Sequence, residues 1–99
     1  MTNLLFLNDN LQTFIYVVGN ETLLDIALKV GVPPTLIIYD NNLNKAISEG
    51  MCLVIKRRSE LKMLTKEELD SISDIEYLKK INKCDHIYPY QPIILSEEN

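Results

Sequence analysis

Three glycines, two cysteines and one histidine are all this chain has of the residue types behind most small-protein chemistry. So few glycines leave no glycine-rich loop whose backbone amides could close on a phosphate. Cys52 and Cys84 stand in neither a zinc nor a redox spacing. They are either two reduced, half-buried thiols or one disulfide with each other. His86 lies in Cys84-Asp85-His86, where adjacent side chains on a loop do not converge on one metal, so it reads as a surface histidine. It also follows both cysteines, which gives no nucleophile–histidine order. Positive charge is scarce too: Lys and Arg number 10 against 14 Asp and Glu, a net −4 that lacks the basic face of a nucleic-acid binder. The apolar run Leu4-Leu5-Phe6-Leu7 is short and has no basic residues before it. It is neither a signal peptide nor a membrane span, so synthesis in the cytoplasm and no membrane partner are expected.

What remains has the composition of a folded protein, 46% hydrophobic and 24% charged. Ninety-nine residues accommodate one compact domain or two very small modules. Charge divides unevenly between the halves. Residues 14–58 hold Lys29, Lys45, Lys56, Arg57 and Arg58 against Glu21, Asp25, Asp40 and Glu49. Residues 59–99 hold five lysines against nine acids. Lys56-Arg57-Arg58 reads as a solvated linker between the halves, with contact to an anionic polymer as the alternative.

Residues 14–18 (Phe-Ile-Tyr-Val-Val) are aromatic or β-branched throughout and predict a strand, apolar on both faces. Gly19-Asn20 follow as a turn. Thr22 with Asp25 three residues on predicts a helix start, and Leu23, Ile26, Ala27 and Val30 recur at helical spacing. Gly31 ends that helix, and Pro33-Pro34 opens a second running to about Asn41. A loop at 42–44 and a turn at Ser48-Glu49-Gly50 lead to a return strand over 51–56.

The second half repeats the order. Residues 60–63 predict a short strand. Thr65-Lys66-Glu67-Glu68 is a capping box with Leu64 and Leu69 placed as its hydrophobic staple. Those glutamates, with Asp70, therefore belong to a helix start and not to a glycosidase carboxylate pair. Asp74 caps a helix carrying Ile75, Leu78 and Ile81 inward. Residues 87–91 form a turn, and 92–95 a last strand. Asn82 stands four residues after Leu78, as Asn41 does after Ile37, so a repeat of about forty residues is expected. Each copy is too small to hold much core alone. The two are expected to pack together, with the leucines of 4–11 as cover. The division is an N-terminal extension (1–13), a first module (14–58), a degenerate second module (59–96) and an acidic tail (97–99).

The order of Thr22, Leu23, Ile26, Ala27, Ile37, Asn41, Ile47, Gly50, Leu53 and Ile55 resembles the LysM (lysin motif) family. The second copy contributes Leu78, Asn82, Ile87, Pro89, Gln91, Ile93 and Leu95 to the likeness. The resemblance implies an α+β chain of two tandem βααβ modules, each with two helices packed on a two-stranded antiparallel sheet. Asn20-Glu21 stand where the family has Gly-Asp. An ungapped match on Thr22 aligns Ile15 and Val17 with the family's strand residues, while a turn shorter by one aligns Tyr16 and Val18. A one-residue slip exchanges the two faces of a strand, so both registers stay open. In the second copy the turn element has no counterpart beyond Thr65, and Tyr90 replaces the turn glycine.

By the same resemblance the first module binds N-acetylglucosamine-containing glycan, peptidoglycan or a chitin-like oligosaccharide, without catalysis, metal or cofactor. The implied site is two loops carrying Asn20, Glu21, Thr22 and Leu23 on one side and Leu43, Asn44, Lys45 and Ile47 on the other. Loop amides and carbonyls would bond the acetamide and hydroxyls, and Leu23 and Ile47 would meet the acetyl methyl and the sugar face. The alternative is an assembly role, in a phage or contractile-particle tail or baseplate or in a spore coat. There a protein partner docks on the second module through Tyr77, Tyr88 and Tyr90, unless these tyrosines pack in its small core. The final location under these readings is the cell wall, a spore or a phage-like particle.

Overall fold

The computed structural model describes residues 4–6, by their backbone alone, and residues 13–97. The elements in order are β1 (Leu4–Phe6), β2 (Thr13–Val17), α1 (Leu23–Val30), α2 (Pro34–Asn41) and β3 (Cys52–Lys56). There follow β4 (Lys62–Met63), α3 (Lys66–Asp70), α4 (Ile75–Ile81) and β5 (Pro92–Ile93). The architecture is α+β: two successive strand–helix–helix–strand units, each closed by an antiparallel strand pair.

In the first unit β2 pairs with β3, Tyr16 opposite Leu53. Val18 lengthens the ladder, its N–H donating to Met51 O at 2.8 Å and its carbonyl accepting from Gly50 N–H at 2.8 Å. β1 adds to the other edge of β2, Leu5 opposite Ile15, so part of the N-terminal extension is a third strand. The cover expected from the leucines of 4–11 lies outside the described side chains. Burial settles which residues of β2 face inward: Phe14, Tyr16 and Val18 are buried, while Ile15 and Val17 are half-buried on the other face. Alternation in the sequence offers no choice here, because both sets are apolar. What decides is that the Tyr16 hydroxyl has a partner in Glu21, which permits its ring to be buried.

The helix starts are local chemistry. Thr22 Oγ1 accepts from Asp25 N–H at 3.1 Å while the Asp25 carboxylate accepts from Thr22 N–H at 3.0 Å, a reciprocal cap. Asp25 is held below the usual carboxylate range by the Thr22 amide first of all. Ile26, Ala27 and Val30 are buried, and Gly31 ends α1 at φ +77°. Pro34 opens α2, whose Leu36 and Ile37 are buried. Asn42 ends it in the left-handed region, with Leu43 N–H donating to Ile38 O.

The second unit reproduces these details. Thr65 and Glu68 form the same reciprocal cap, and the Asp74 carboxylate accepts from Tyr77 N–H. Leu64 and Leu69 are half-buried against the core, as a staple across α3 requires. Lys83 repeats Asn42 in the left-handed region, with Cys84 N–H donating to Lys79 O. In each unit an asparagine ties the second helix to the outer edge of the return strand. Asn41 Nδ2 donates to Ile37 O and Val54 O while its Oδ1 accepts from Val54 N–H. Asn82 does the same with Leu78 and Ile94 and is wholly buried. The strands of this unit are shorter than the sequence predicts. Pro92, opposite Met63, brings no N–H to the ladder, and Leu95 is exposed.

Two further expectations are corrected. Arg58 is not a solvated linker residue. It donates to both Asp40 oxygens at 2.9 and 3.0 Å and to Lys56 O, with its side chain 21% exposed and that of Asp40 only 4%. This fork fixes the direction in which the chain leaves the first unit. The two cysteines are free thiols, Cys84 half-buried but Cys52 exposed on the outward face of β3. Burial pushes the Cys84 thiol up. The buried residues of both units form one cluster, and Lys83 Nζ sits 4.8 Å over the Tyr39 ring where α4 ends beside α2. Among the described residues no helix is long and apolar enough to cross a membrane.

One repeat position carries strain in one copy only. Gly50 and Tyr90 occupy the same turn, at φ +89° and +64°, each N–H donating back across the strand pair, to Val18 O and Leu64 O respectively. A side chain there costs about 1–2 kcal/mol, partly offset by glycine's greater freedom when unfolded. Tyr90→Gly is therefore expected to raise stability by up to about 1 kcal/mol, and Gly50→Ala to lower it by a similar amount. Urea unfolding of the two variants checks both signs.

Candidate functional site

The three residues between Val18 and the cap Thr22 have no counterpart between Leu64 and its cap Thr65. This extra length makes a loop in the first unit, and Glu21 holds it. Glu21 Oε1 accepts from Gly19 N–H at 2.9 Å and from the Tyr16 hydroxyl at 2.8 Å. Oε2 accepts from Lys29 Nζ at 3.0 Å, and Lys29 also donates to the Tyr16 hydroxyl at 2.8 Å. The Glu21 side chain is only 12% exposed. Its carboxyl lies below the usual range, first because of the Gly19 amide, then the Tyr16 hydroxyl, with Lys29 assisting. The Lys29 ammonium is raised, chiefly by its hydrogen bonds to Tyr16 and Glu21.

Against this loop lies the segment from α2 to β3. Together they enclose a groove of about 550 Å³ lined by Glu21, Thr22, Leu23, Ile38, Leu43, Lys45, Ala46 and Ile47. Of the residues named from the sequence, Glu21, Thr22, Leu23, Leu43, Lys45 and Ile47 meet here. Asn20 and Asn44 are exposed on the same two loops but do not line the groove. Thr22 is committed to capping α1. Ile38 and Ala46 complete the wall, beyond the residues the sequence points to. A signal for Ile38 exists: Leu36, Ile37, Ile38 and Tyr39 are consecutive and apolar, and a helix cannot turn all four inward.

Among the described residues the second unit has no equivalent wall. By the shared caps and asparagines, Leu23 corresponds to Lys66, Ile38 to Lys79 and Leu43 to Cys84, and by the shared turn at Gly50 and Tyr90, Ile47 corresponds to Ile87. Lys79 is engaged with Glu76 at 3.0 Å, and two depressions replace the single groove, one beside Lys79 and Cys84 and one beside Lys66 and Ile87. Tyr77, Tyr88 and Tyr90 do not pack in the core of this unit. They are 43%, 65% and 65% exposed. His86 is exposed and meets Tyr88 edge-on, ring centroids 4.3 Å apart. Among the described residues no three His, Cys, Asp or Glu side chains gather as a metal site.

Glu21 makes the loop sensitive to acid. A carboxyl depressed on folding contributes stability above its unfolded value, near 4.5, and that contribution is lost as pH falls through the lower folded value. Glu21→Gln is expected to cost about 1 kcal/mol at neutral pH. The two proteins should converge in stability below pH 4.5, and urea titrations across that range read the difference.

Comparison with protein-family models, with curated proteins and with solved structures finds no match.

Proposed function

We propose that this protein binds N-acetylglucosamine-containing glycan, peptidoglycan most readily, through the groove of its first unit, without catalysis. The observation that supports the reading is the convergence of the two LysM-like loops on one apolar-walled groove of about 550 Å³. Concave, mostly apolar sites with a few polar edges are the usual form of small-ligand sites. Leu23, Leu43 and Ile47 offer contact to an acetyl methyl and to the apolar face of a pyranose ring, and amides and carbonyls of the two loops would bond its polar groups. A shallow single groove binds weakly, and among the described residues the second unit does not repeat its wall to raise avidity.

The test is titration of ¹⁵N-labelled protein with chito-oligosaccharides followed by NMR. Amides of Asn20 to Leu23 and of Asn44 to Ile47 are expected to move at millimolar sugar. Unmoved amides in both loops at that concentration would end the glycan reading.

A second reading is supported by the exposed tyrosines of the other unit: an assembly module that docks a protein partner in a phage-like tail or baseplate or a spore coat. Its mark would be loss of assembly in a Tyr77→Ser, Tyr88→Ser, Tyr90→Ser protein whose sugar titration is unchanged. Assembly unaffected by the triple substitution would count against it.

A further inference from the structure

We propose that Lys45 makes the groove selective for N-acetylhexosamine oligosaccharides that carry a carboxylate over neutral ones, a specificity that rests on the groove's binding glycan at all. Two charged side chains line the groove, Glu21 and Lys45, and they are in opposite situations. Both Glu21 oxygens are taken, by the Gly19 amide, the Tyr16 hydroxyl and the Lys29 ammonium. Lys29 also sets a positive charge 3.0 Å from that carboxylate, so Glu21 offers an incoming anion little free negative charge. Lys45 is exposed on the loop between α2 and β3, and among the described residues no hydrogen bond or ion pair engages it. Asp25, the acid of α1, has its carboxylate on the Thr22 amide, and neither it nor Glu49, exposed on the same segment as Lys45, lines the groove.

An uncommitted ammonium therefore stands at the rim of a wall made of Leu23, Ile38, Leu43, Ala46 and Ile47. A neutral oligosaccharide matches the wall alone. A sugar bearing a carboxylate, on the ring as in N-acetylmuramic acid or on an attached peptide, matches both wall and rim. The net charge of −4 does not oppose this strongly, since charges beyond about 8 Å are screened at physiological ionic strength while a contact pair is less so. An exposed ion pair of this kind corresponds to roughly a two- to five-fold preference.

The whole chain, ¹⁵N-labelled, is titrated with three oligosaccharides of equal length. One is neutral N-acetylglucosamine, one alternates with N-acetylmuramic acid bearing a free carboxylate, and one has that carboxylate amidated to a short peptide with its own free carboxylates. The acidic ligands are expected to bind roughly two- to five-fold more tightly than the neutral one. That margin is expected to vanish in Lys45→Gln and in high salt, the acidic ligands losing more affinity than the neutral one. A margin confined to one acidic ligand assigns the carboxylate to the ring or to the peptide. Equal binding of neutral and acidic sugars, or equal weakening of both by Lys45→Gln, overturns the selectivity while leaving the groove a glycan site. No shift at Leu23 or Ile47 with any ligand overturns the glycan reading and the selectivity with it. Lys45 is exposed, so an unchanged amide spectrum of the free variant confirms that folding is intact.

Discussion

Replacing Asn82 with alanine is expected to cost about 3 kcal/mol of folding stability, and replacing it with aspartate more. The asparagine is wholly buried, and so is Ile94, whose N–H and carbonyl it satisfies together with the carbonyl of Leu78. Truncation leaves the Ile94 N–H and carbonyl without their partner in a buried site, while Leu78 O keeps the backbone N–H of residue 82 at 3.0 Å; each stranded group costs about 1–3 kcal/mol, less whatever a water recovers. An introduced carboxylate still accepts from Ile94 N–H, but it faces two carbonyl oxygens and buries a charge. Its folded pKa must then be raised, so the Asn82→Asp penalty is full above that value and shrinks as pH falls through it, when the protonated acid can donate. Urea unfolding at several pH values reads both effects. Little loss in either variant would mean that the clamp does not hold the second unit together. Asn41→Ala should cost less, because Asn41 is only half-buried.

Arg58→Ala should be the next largest loss, about 3 kcal/mol. Its guanidinium is the two-pronged partner of the Asp40 carboxylate, whose side chain is only 4% exposed. Removing the arginine strands the carboxylate, which is costlier than never having had the pair. Asp40→Asn in the Arg58→Ala background is therefore expected to recover much of the loss, and a double-mutant cycle measures the coupling. Arg58→Lys should recover little, since a single ammonium cannot span both oxygens. If Arg58→Ala unfolds at the same urea concentration as the parent, the fork contributes nothing.

These two sites were not equally visible beforehand. Asn82 announces itself by repeating the spacing of Asn41, and a buried amide at a repeat position is a recognisable clamp. Arg58 sits in a run of three basic residues that reads as solvated, and its acid partner lies eighteen residues away on another element. No local pattern joins them. In the groove, the loop residues Glu21 to Leu23 and Leu43 to Ile47 follow from the order of elements. The engagement of Glu21 by Tyr16 and Lys29, which makes it a strut of the loop, depends on side chains that meet only when β2 and α1 pack.

Caps, turns and helical periods act within a few residues, so Thr22 with Asp25, Thr65 with Glu68, Gly31 and the proline pair could be read directly from the chain. The inward face of β2, the burial of Arg58, the third strand at residues 4–6 and the freedom of Lys45 could not. Each of these turns on which distant groups become neighbours, and an apolar residue or a charge carries no label for the partner that packing will bring to it.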